Sequence, residues 1–454
     1  MLRRLLRAVR SFAANLASGK YAGIVFFPSN KGKVLKMAQT LEFVTLRKVA
    51  WKLVPFLSLL YVFNILDRAN VGFARLRMQT DLDMSKEMFD LGYGLFYIGY
   101  LLFEVPSNLL LRRVGARRWI ARIMISWGIL SCLTMFVYNA TSFYALRVLL
   151  GVAEAGFFPG IILYLSYWFP DRERAKMTAY FMMAIALASV FGNPLSGLIM
   201  QYLDGAMNLH GWQWLFLLEG IPSILLGAVV LFKLVDGPAQ AHWLATDERE
   251  WLVERIQREE RERKQAHGAD RLGALFDWRV WLLIAIYFTV AVGTNAGGAY
   301  IPTLLQERFE GLNTLQIGLL SALPHLCAAV GMVVFSISSD RTGKRREHVA
   351  LAALVAAGGW ALTAWSVSPA IALTGLCIAQ LGMMSMLPTF WALPTAFLSG
   401  AAAAGGIALI NSVANIGGFV GPTILGRYGL WSMAGILLAG ALLAMCVRRD
   451  RARD

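Results

Sequence analysis

Tyr61–Asn70 reads Y-V-F-N-I-L-D-R-A-N and closes an apolar run that begins near Trp51. The run is long enough to place this stretch in or near the end of a membrane helix. Asp67 and Arg68 are costly at such a depth, on the order of 2.5–3.5 kcal/mol for each charge at a helix centre on insertion scales. Asn64, Asp67 and Arg68 follow i, i+3, i+4 spacing, so they share one helical face. Downstream, Arg147 and Glu154 lie about two turns apart in another apolar run. Two apolar helices, each with an acid and a base on one stripe, imply a polar cavity between them.

Composition fits this reading. The chain has 454 residues, 57% of them hydrophobic and 16% charged, with a mean hydropathy of +0.56. A soluble chain carries roughly a quarter charged residues, so a polytopic membrane protein is expected. The net charge of +15 sits in short loops between apolar runs rather than on a face for nucleic acid, and no nucleic-acid partner is expected. Cys132, Cys327, Cys377 and Cys446 are scattered through apolar segments and form neither a disulfide framework nor a metal spacing. No nucleophile with a nearby base and no phosphate loop stands out, so catalytic residues, cofactors and metals are all absent from the expectation.

Twelve apolar runs approach the ~20 residues a bilayer requires. They fall at 49–72, 87–111, 119–138, 143–166, 175–202 and 212–234, then at 278–304, 313–338, 348–367, 370–397, 402–425 and 429–447. This gives a first bundle over 46–235, a charged linker over 236–277, a second bundle over 278–447 and a basic tail over 448–454. Residues 1–45 form a basic segment in which Arg3, Arg4, Arg7 and Arg10 interleave with Leu and Phe. Either it lies on an anionic surface, or it precedes a native start at Met37. In the linker, Thr246–Gln265 carries Glu and Arg at helical spacing, which reads as a solvated amphipathic helix.

Base concentrates in alternate loops: Arg112, Arg113, Arg117 and Arg118; Arg172, Arg174 and Lys176; Arg341, Lys344, Arg345 and Arg346; and the tail. The positive-inside rule assigns these loops, both termini and the linker to the cytoplasm. Pro159, Pro194, Pro302, Pro324, Pro388, Pro394 and Pro422 fall within spans, where neighbouring helices satisfy the freed backbone groups. With Gly405-Gly406 and Gly417-Gly418, they point to larger gating movements in spans ten and eleven.

The loops after spans two and eight match each other: N-L-L-L-R-R-V-G-A-R-R (Asn108–Arg118) and S-S-D-R-T-G-K-R-R (Ser338–Arg346). Equivalent loops in two halves indicate internal duplication. Both resemble the signature loop of the major facilitator superfamily, close to G-x-x-x-D-R-x-G-R-R. The second copy matches through Asp340, Arg341, Gly343 and Lys344. The first keeps Gly115 and Arg117 but has Arg112 where the acid is expected, which weakens the case for an acid-based latch there.

A finer resemblance, to the anion:cation symporter family, covers nearly all of 47–426. It is carried by L-D-R-A-N-V-G-F-A (Leu66–Ala74), E-V-P-S-N-L-L-L (Glu104–Leu111), G-V-A-E-A-G-F-F-P-G (Gly151–Gly160) and Y-W-F-P (Tyr167–Pro170). G-W-Q-W-L-F-L-L-E-G (Gly211–Gly220), F-W-A-L-P-T-A-F-L (Phe390–Leu398) and G-G-I-A-L-I-N-S (Gly405–Ser412) extend it. The resemblance implies an all-α polytopic fold of twelve transmembrane helices in two pseudo-symmetric six-helix bundles. It implies import of a small organic anion (tartrate, an aromatic acid or a sugar acid) with a proton across a bacterial inner membrane. A monomer in the lipid bilayer is expected. Proton-coupled export and anion exchange are the alternatives.

The resemblance assigns proton coupling to Asp67 and Glu154. The alternative is a permanent ion pair, Asp67 with Arg147 or Glu154 with Arg68. Arg68 and Arg147 present planar forks suited to a carboxylate, with Arg68 read nearer the substrate and Arg147 nearer an internal counter-ion. Tyr100 matches a family position that hydrogen-bonds the anion, or else it is packing. Asn411 and Asn415 offer polar contacts from the second half, and Asn64 completes the stripe on the first. Ile65 and Ile185 replace polar residues found in relatives, which leans toward a substrate with fewer hydroxyls or an aromatic body. His325, beside Pro324, reads as a packed, hydrogen-bonded histidine.

Overall fold

A computed structural model describes residues 30–266, 278–391, 393–394 and 409–447. The expectations for residues 1–29, 267–277, Gly405-Gly406 and the tail 448–454 lie outside the described residues. The described residues divide into two compact units between Lys48 and Val49, and the packing and cavity described below lie from Val49 onward.

The described residues contain 11 helices long and apolar enough to cross a membrane, plus a shorter apolar one at the end. The first six are α1 (Thr40–Asp81), α2 (Lys86–Val114), α3 (Ala116–Phe136), α4 (Ala140–Trp168), α5 (Lys176–Tyr202) and α6 (Gly211–Lys233). After the amphipathic α7 (Thr246–Ala266) come α8 (Trp278–Arg308), α9 (Thr314–Thr342), α10 (Arg345–Trp365), α11 (Pro369–Trp391), α12 (Leu409–Tyr428) and α13 (Leu430–Cys446).

One expectation needs correction. Tyr61–Asn70 lies well inside α1, not near its end, because the helix continues to Asp81. Arg75 reads as a boundary in the sequence, but its guanidinium is buried against Asp90 at 2.7 Å, so the charge is neutralised within the bundle. α4 contains a second surprise. Its helical run stops at Glu154 and restarts at Phe157, across a left-handed Gly156 with φ 85°. Glycine permits this conformation. Pro159 then falls in the first turn of the restarted helix, where its missing N–H costs little.

The two ends of the bundle differ chemically. At one end, short polar side chains cap helix starts: Ser85 Oγ accepts from Met88 N at 3.2 Å, Asn139 Oδ1 from Ser142 N at 2.8 Å and Asn313 Oδ1 from Gln316 N at 2.9 Å. Each satisfies a donor that a helix N-terminus otherwise leaves open. At the other end lie the Arg-rich turns, with Gly115 at φ 96° and Gly343 at φ 65° in corresponding places.

Packing repeats between the halves. α2 lies on α4 as α9 lies on α11, and α3 on α6 as α10 on α13. The contacts are close because glycines face them: Gly128 and Gly227 between α3 and α6, Gly359 and Gly382 between α10 and α11. In lipid, such small-residue faces let backbones approach and gain dispersion contact. This is the pseudo-symmetric pair of six-helix bundles that the sequence implies. The halves meet where α2 touches α12, α5 touches α9 and α1 touches α8. Those contacts gather toward the end bearing the short polar caps. There Gly72 faces Gly298 O, Gly197 faces Thr314 O and Gly318 faces Asn193 O. Arg75 and Asp90 from the first half share Tyr300 of the second, with Tyr300 Oη donating to Asp90 at 2.5 Å and Arg75 Nη2 donating to Tyr300 at 3.1 Å.

Candidate functional site: a cavity between the halves

A cavity of about 250 Å³ opens between the bundles. Aromatic rings form much of its wall, among them Tyr61, Tyr93, Tyr97, Phe158, Tyr287 and Trp391. Among the described residues, Arg68 is the one Arg, Lys, Asp or Glu on its lining. The i, i+3, i+4 stripe places it there from α1. Behind it stands Glu154, 1% exposed at the break in α4. Arg68 Nε donates to Glu154 Oε1, and Asn64 Nδ2 donates to the same oxygen at 2.7 Å. The terminal nitrogens of Arg68 make no hydrogen bond among the described residues. Its guanidinium lies 5.0 Å from the Tyr100 ring and 5.3 Å from the Phe96 ring. Aromatic faces attract the cation without consuming its donors.

The other stripe residues separate. Asp67 is buried away from the cavity, where it accepts from Trp127 Nε1, from Ser131 Oγ at 2.6 Å and from Asn70 Nδ2 at 3.2 Å. Three donors around a carboxylate suit its acceptor-only ionised form. Arg147 is also buried outside the lining. It donates to the Gly92 and Tyr93 carbonyls at 3.4 and 3.3 Å, lies 4.8 Å from the Phe96 ring, and leaves Nη1 without a partner among the described residues. Of the two ion pairs weighed from the sequence, the structure contains Glu154 with Arg68, and Arg147 instead holds the backbone of α2.

Tyr100, Asn411 and Asn415 line the cavity. Asn411 Nδ2 also donates across the halves to Glu104 at 3.2 Å, joined by Ser412 Oγ at 3.4 Å. Ile65 and Ile185 are both on the wall, so the lost polar contacts inferred at those positions do concern the cavity surface. His325 reaches the wall as well, with its Nδ1 3.2 Å from Gln380 Nε2.

In the first signature loop an acid is present after all. Asp236, just beyond α6, accepts from Arg117 N at 2.8 Å and packs against Gly115. Arg112 occupies the expected acid position, and a carboxylate remote in sequence serves the loop backbone instead. In the second loop, Gly343 N donates to Ser339 O at 2.9 Å and ends α9. Asp340, Arg341 and the Lys344 side chain make no hydrogen bond or ion pair across the halves among the described residues.

Several residues escaped sequence reasoning. Glu219 in α6 is buried and accepts from Ser196 Oγ at 2.8 Å. Tyr97 donates to Asn295 across the cavity. Glu104 and Glu219 both stand inside motifs already quoted, so an acid within an apolar run was the available signal.

The family profile described as Major Facilitator Superfamily matches residues 57–422. A protein of Agrobacterium vitis, provisionally named a tartrate transporter, is 48% identical over 90% of this chain and 92% of its own. A quinolone resistance transporter of Acinetobacter baumannii is 39% identical over 88% and 94%. Among solved structures, the xylose transporter XylE of Escherichia coli, in a partially occluded inward-open conformation, superposes with a TM-score of 0.71 at 14% identity, covering 88% of this chain and 100% of that one. That likeness concerns the fold. The chain belongs to the Major Facilitator Superfamily, as a membrane transporter of the anion:cation symporter type.

Proposed function

We propose that this protein imports a small organic carboxylate together with a proton by alternating access. The observation that carries the reading is Arg68: its Nε is held by Glu154, while its terminal nitrogens are free on the cavity wall. With Glu154 ionised, the guanidinium is already neutralised and has little to offer an anion. A proton on Glu154 releases that charge to the ligand carboxylate, which can engage the outer edge of the fork in two parallel hydrogen bonds. Proton and anion therefore bind together. Tyr100, Asn411 and Asn415 orient the bound anion, and Asp67 serves as a second acid in the buried core of the first bundle. Arg147 shapes α2 beneath the aromatic wall.

The relative provisionally named a tartrate transporter supports a carboxylate cargo. The aromatic walls and the apolar Ile65 and Ile185 favour a ligand with an apolar body over a polyol acid. The Arg-rich turns face the cytoplasm of a bacterial inner membrane, with both termini on that side, a bundle over 46–235 and another over 278–447, acting as a monomer. A carrier's ligand moves its states only by its differential affinity for them, and here the Arg75–Asp90–Tyr300 contact between halves must open for the cavity to reach the other side.

Export is the second reading, favoured by the quinolone resistance relative. Uptake of labelled carboxylates into proteoliposomes, with an imposed proton gradient of either sign, separates the two. Accumulation driven by a gradient acidic on the loading side supports symport. Antiport stimulation, or uptake indifferent to the gradient, refutes it.

A further inference from the structure

α3 carries an arginine that no acid neutralises. Arg122 lies about 9 Å along the axis from the helix start at Ala116 and makes no ion pair among the described residues. Such a charge within a membrane span is costly and asks for a role. A long basic side chain near a helix end ordinarily stretches back toward the headgroups. Arg122 reaches the other way. Its Nη1 donates to Ser126 Oγ at 3.4 Å, one turn further along α3, and to Ala153 O of α4 at 3.3 Å. Ser126 Oγ gives its own proton to Ile123 O at 3.1 Å, so it is the acceptor. The guanidinium lies 4.1 Å from the Trp119 ring, whose face attracts the cation.

Ala153 belongs to the last turn before the break in α4. The helical run stops at Glu154, Ala155 leaves it with ψ 130°, and Gly156 turns left-handed. The final carbonyls of a helix lack intrahelical partners. Here Ala155 N serves Gly151 O at 3.0 Å, and Arg122 serves Ala153 O. A cation at that point also complements the negative end of the helix dipole. Gly156 is held through the same neighbour: Trp119 Nε1 donates to Ser107 Oγ of α2 at 3.0 Å, and that oxygen abuts Gly156 so closely that a Cβ there would collide with it.

We infer that Arg122 is a positioning residue for Glu154. Braced on Trp119, it pins the carbonyl of the preceding residue and so keeps the last turn of the half-helix, with the Glu154 carboxylate on it, against Arg68. This rests on the reading above in which Glu154 restrains Arg68. Arginine suits the task because its planar fork spans from α3 to α4 while stacked on an indole. Without Arg122 the turn frays, Glu154 withdraws, and Arg68 is open to an anion whether or not a proton has bound. The carrier then slips.

The test has two arms on the purified full chain, for Arg122→Leu and Trp119→Phe. Hydrogen exchange without ligand, read by mass spectrometry, should run about tenfold faster over residues 151–158 in R122L, the size of one unmade hydrogen bond. Unchanged exchange in α10 shows that the fold persists. W119F keeps a ring beside the guanidinium and loses the Ser107 bond, so its rise should be smaller. Wild-type exchange over 151–158 in R122L, or an equal rise in every helix, would overturn the inference. The second arm measures benzoate and tartrate binding by calorimetry in a cycle with Glu154→Gln. R122L should tighten binding severalfold in the wild-type background and change nothing in E154Q, where no restraint is left to lose. The same shift in both backgrounds, or weaker binding in R122L, would refute the assignment. If the wild type binds neither probe, the organic-anion reading fails, while the exchange arm still decides whether Arg122 braces the break.

Discussion

Replacing Glu154 with Gln should tighten anion binding while abolishing coupling. Gln keeps the shape and an oxygen for Asn64 but removes the charge that occupies Arg68. Two unit charges 4 Å apart interact by about 4 kcal/mol at an effective dielectric of 20. The Arg68 side chain is 27% exposed toward the cavity, and water reduces the recoverable part to the range of a charge-assisted hydrogen bond, about 1.5–3 kcal/mol. At 1.4 kcal/mol per tenfold, E154Q should bind a transported carboxylate about 10–100-fold more tightly at neutral pH. Any pH dependence of wild-type affinity should be lost in E154Q. Calorimetry on detergent-purified protein measures both. In proteoliposomes the variant should retain counterflow and lose gradient-driven accumulation. Weaker binding in E154Q, or an undiminished pH slope, would show that Glu154 does not restrain Arg68 and would remove the basis for the proposed coupling.

Other perturbations follow from the same contacts. Arg75→Gln leaves Asp90 buried without its cation, a loss of about 3–5 kcal/mol for a broken buried pair. It should speed thiol labelling of a cysteine placed at Ser85, with Asp90→Asn in the same chain restoring much of the protection; unchanged labelling would exclude Arg75–Asp90 as a latch. Asp67→Asn turns an amide N–H toward donors from Trp127 and Ser131 and should lower stability by about 1–3 kcal/mol, read as a fall in melting temperature. Gly115→Ala combines φ 96° with a methyl 2.8 Å from Asp236 Oδ1, whereas Gly343→Ala at φ 65° meets nothing within 4 Å. Each carries about 1–3 kcal/mol of backbone strain, so G115A should melt measurably below G343A, and the reverse order would discount the Asp236 contact.

The fold was legible because lipid makes hydropathy nearly decisive: a backbone that must satisfy itself can only be helical over each apolar run. The Arg68–Glu154 meeting was one of two pairings the sequence left open, because charges in such runs need partners but helical spacing fixes only their faces. Where α1 ends was not legible, because Arg75 resembles a loop residue until Asp90 is seen beside it. Asp67 and Arg147 illustrate the same limit. Periodicity assigns a face but not a neighbour, and the indole of Trp127 and the carbonyls of Gly92 and Tyr93 carry no charge signal to betray them. Asp236 lies more than a hundred positions from the loop it serves, beyond any local pattern. His325 reads as a packed histidine from its surroundings in sequence; only the fold brings it to the cavity with Gln380.

The glycine-faced contacts between the halves bear on how readily the proposed cycle could turn. Gly72, Gly197 and Gly318 present bare backbone to the opposing half, and bare backbone has no rotamers to freeze when the surfaces close or to free when they part. Long side chains at the same seam would forfeit up to about 2 kcal/mol of conformational entropy each on every closure, and interdigitated ones would have to climb past one another. Where glycines line it, the seam carries little of that cost, and the Arg75–Asp90–Tyr300 contact is the part that does. Under the proposed symport, the small differential energies of one proton and one anion would then move the halves as a bearing moves, not as a lock opens.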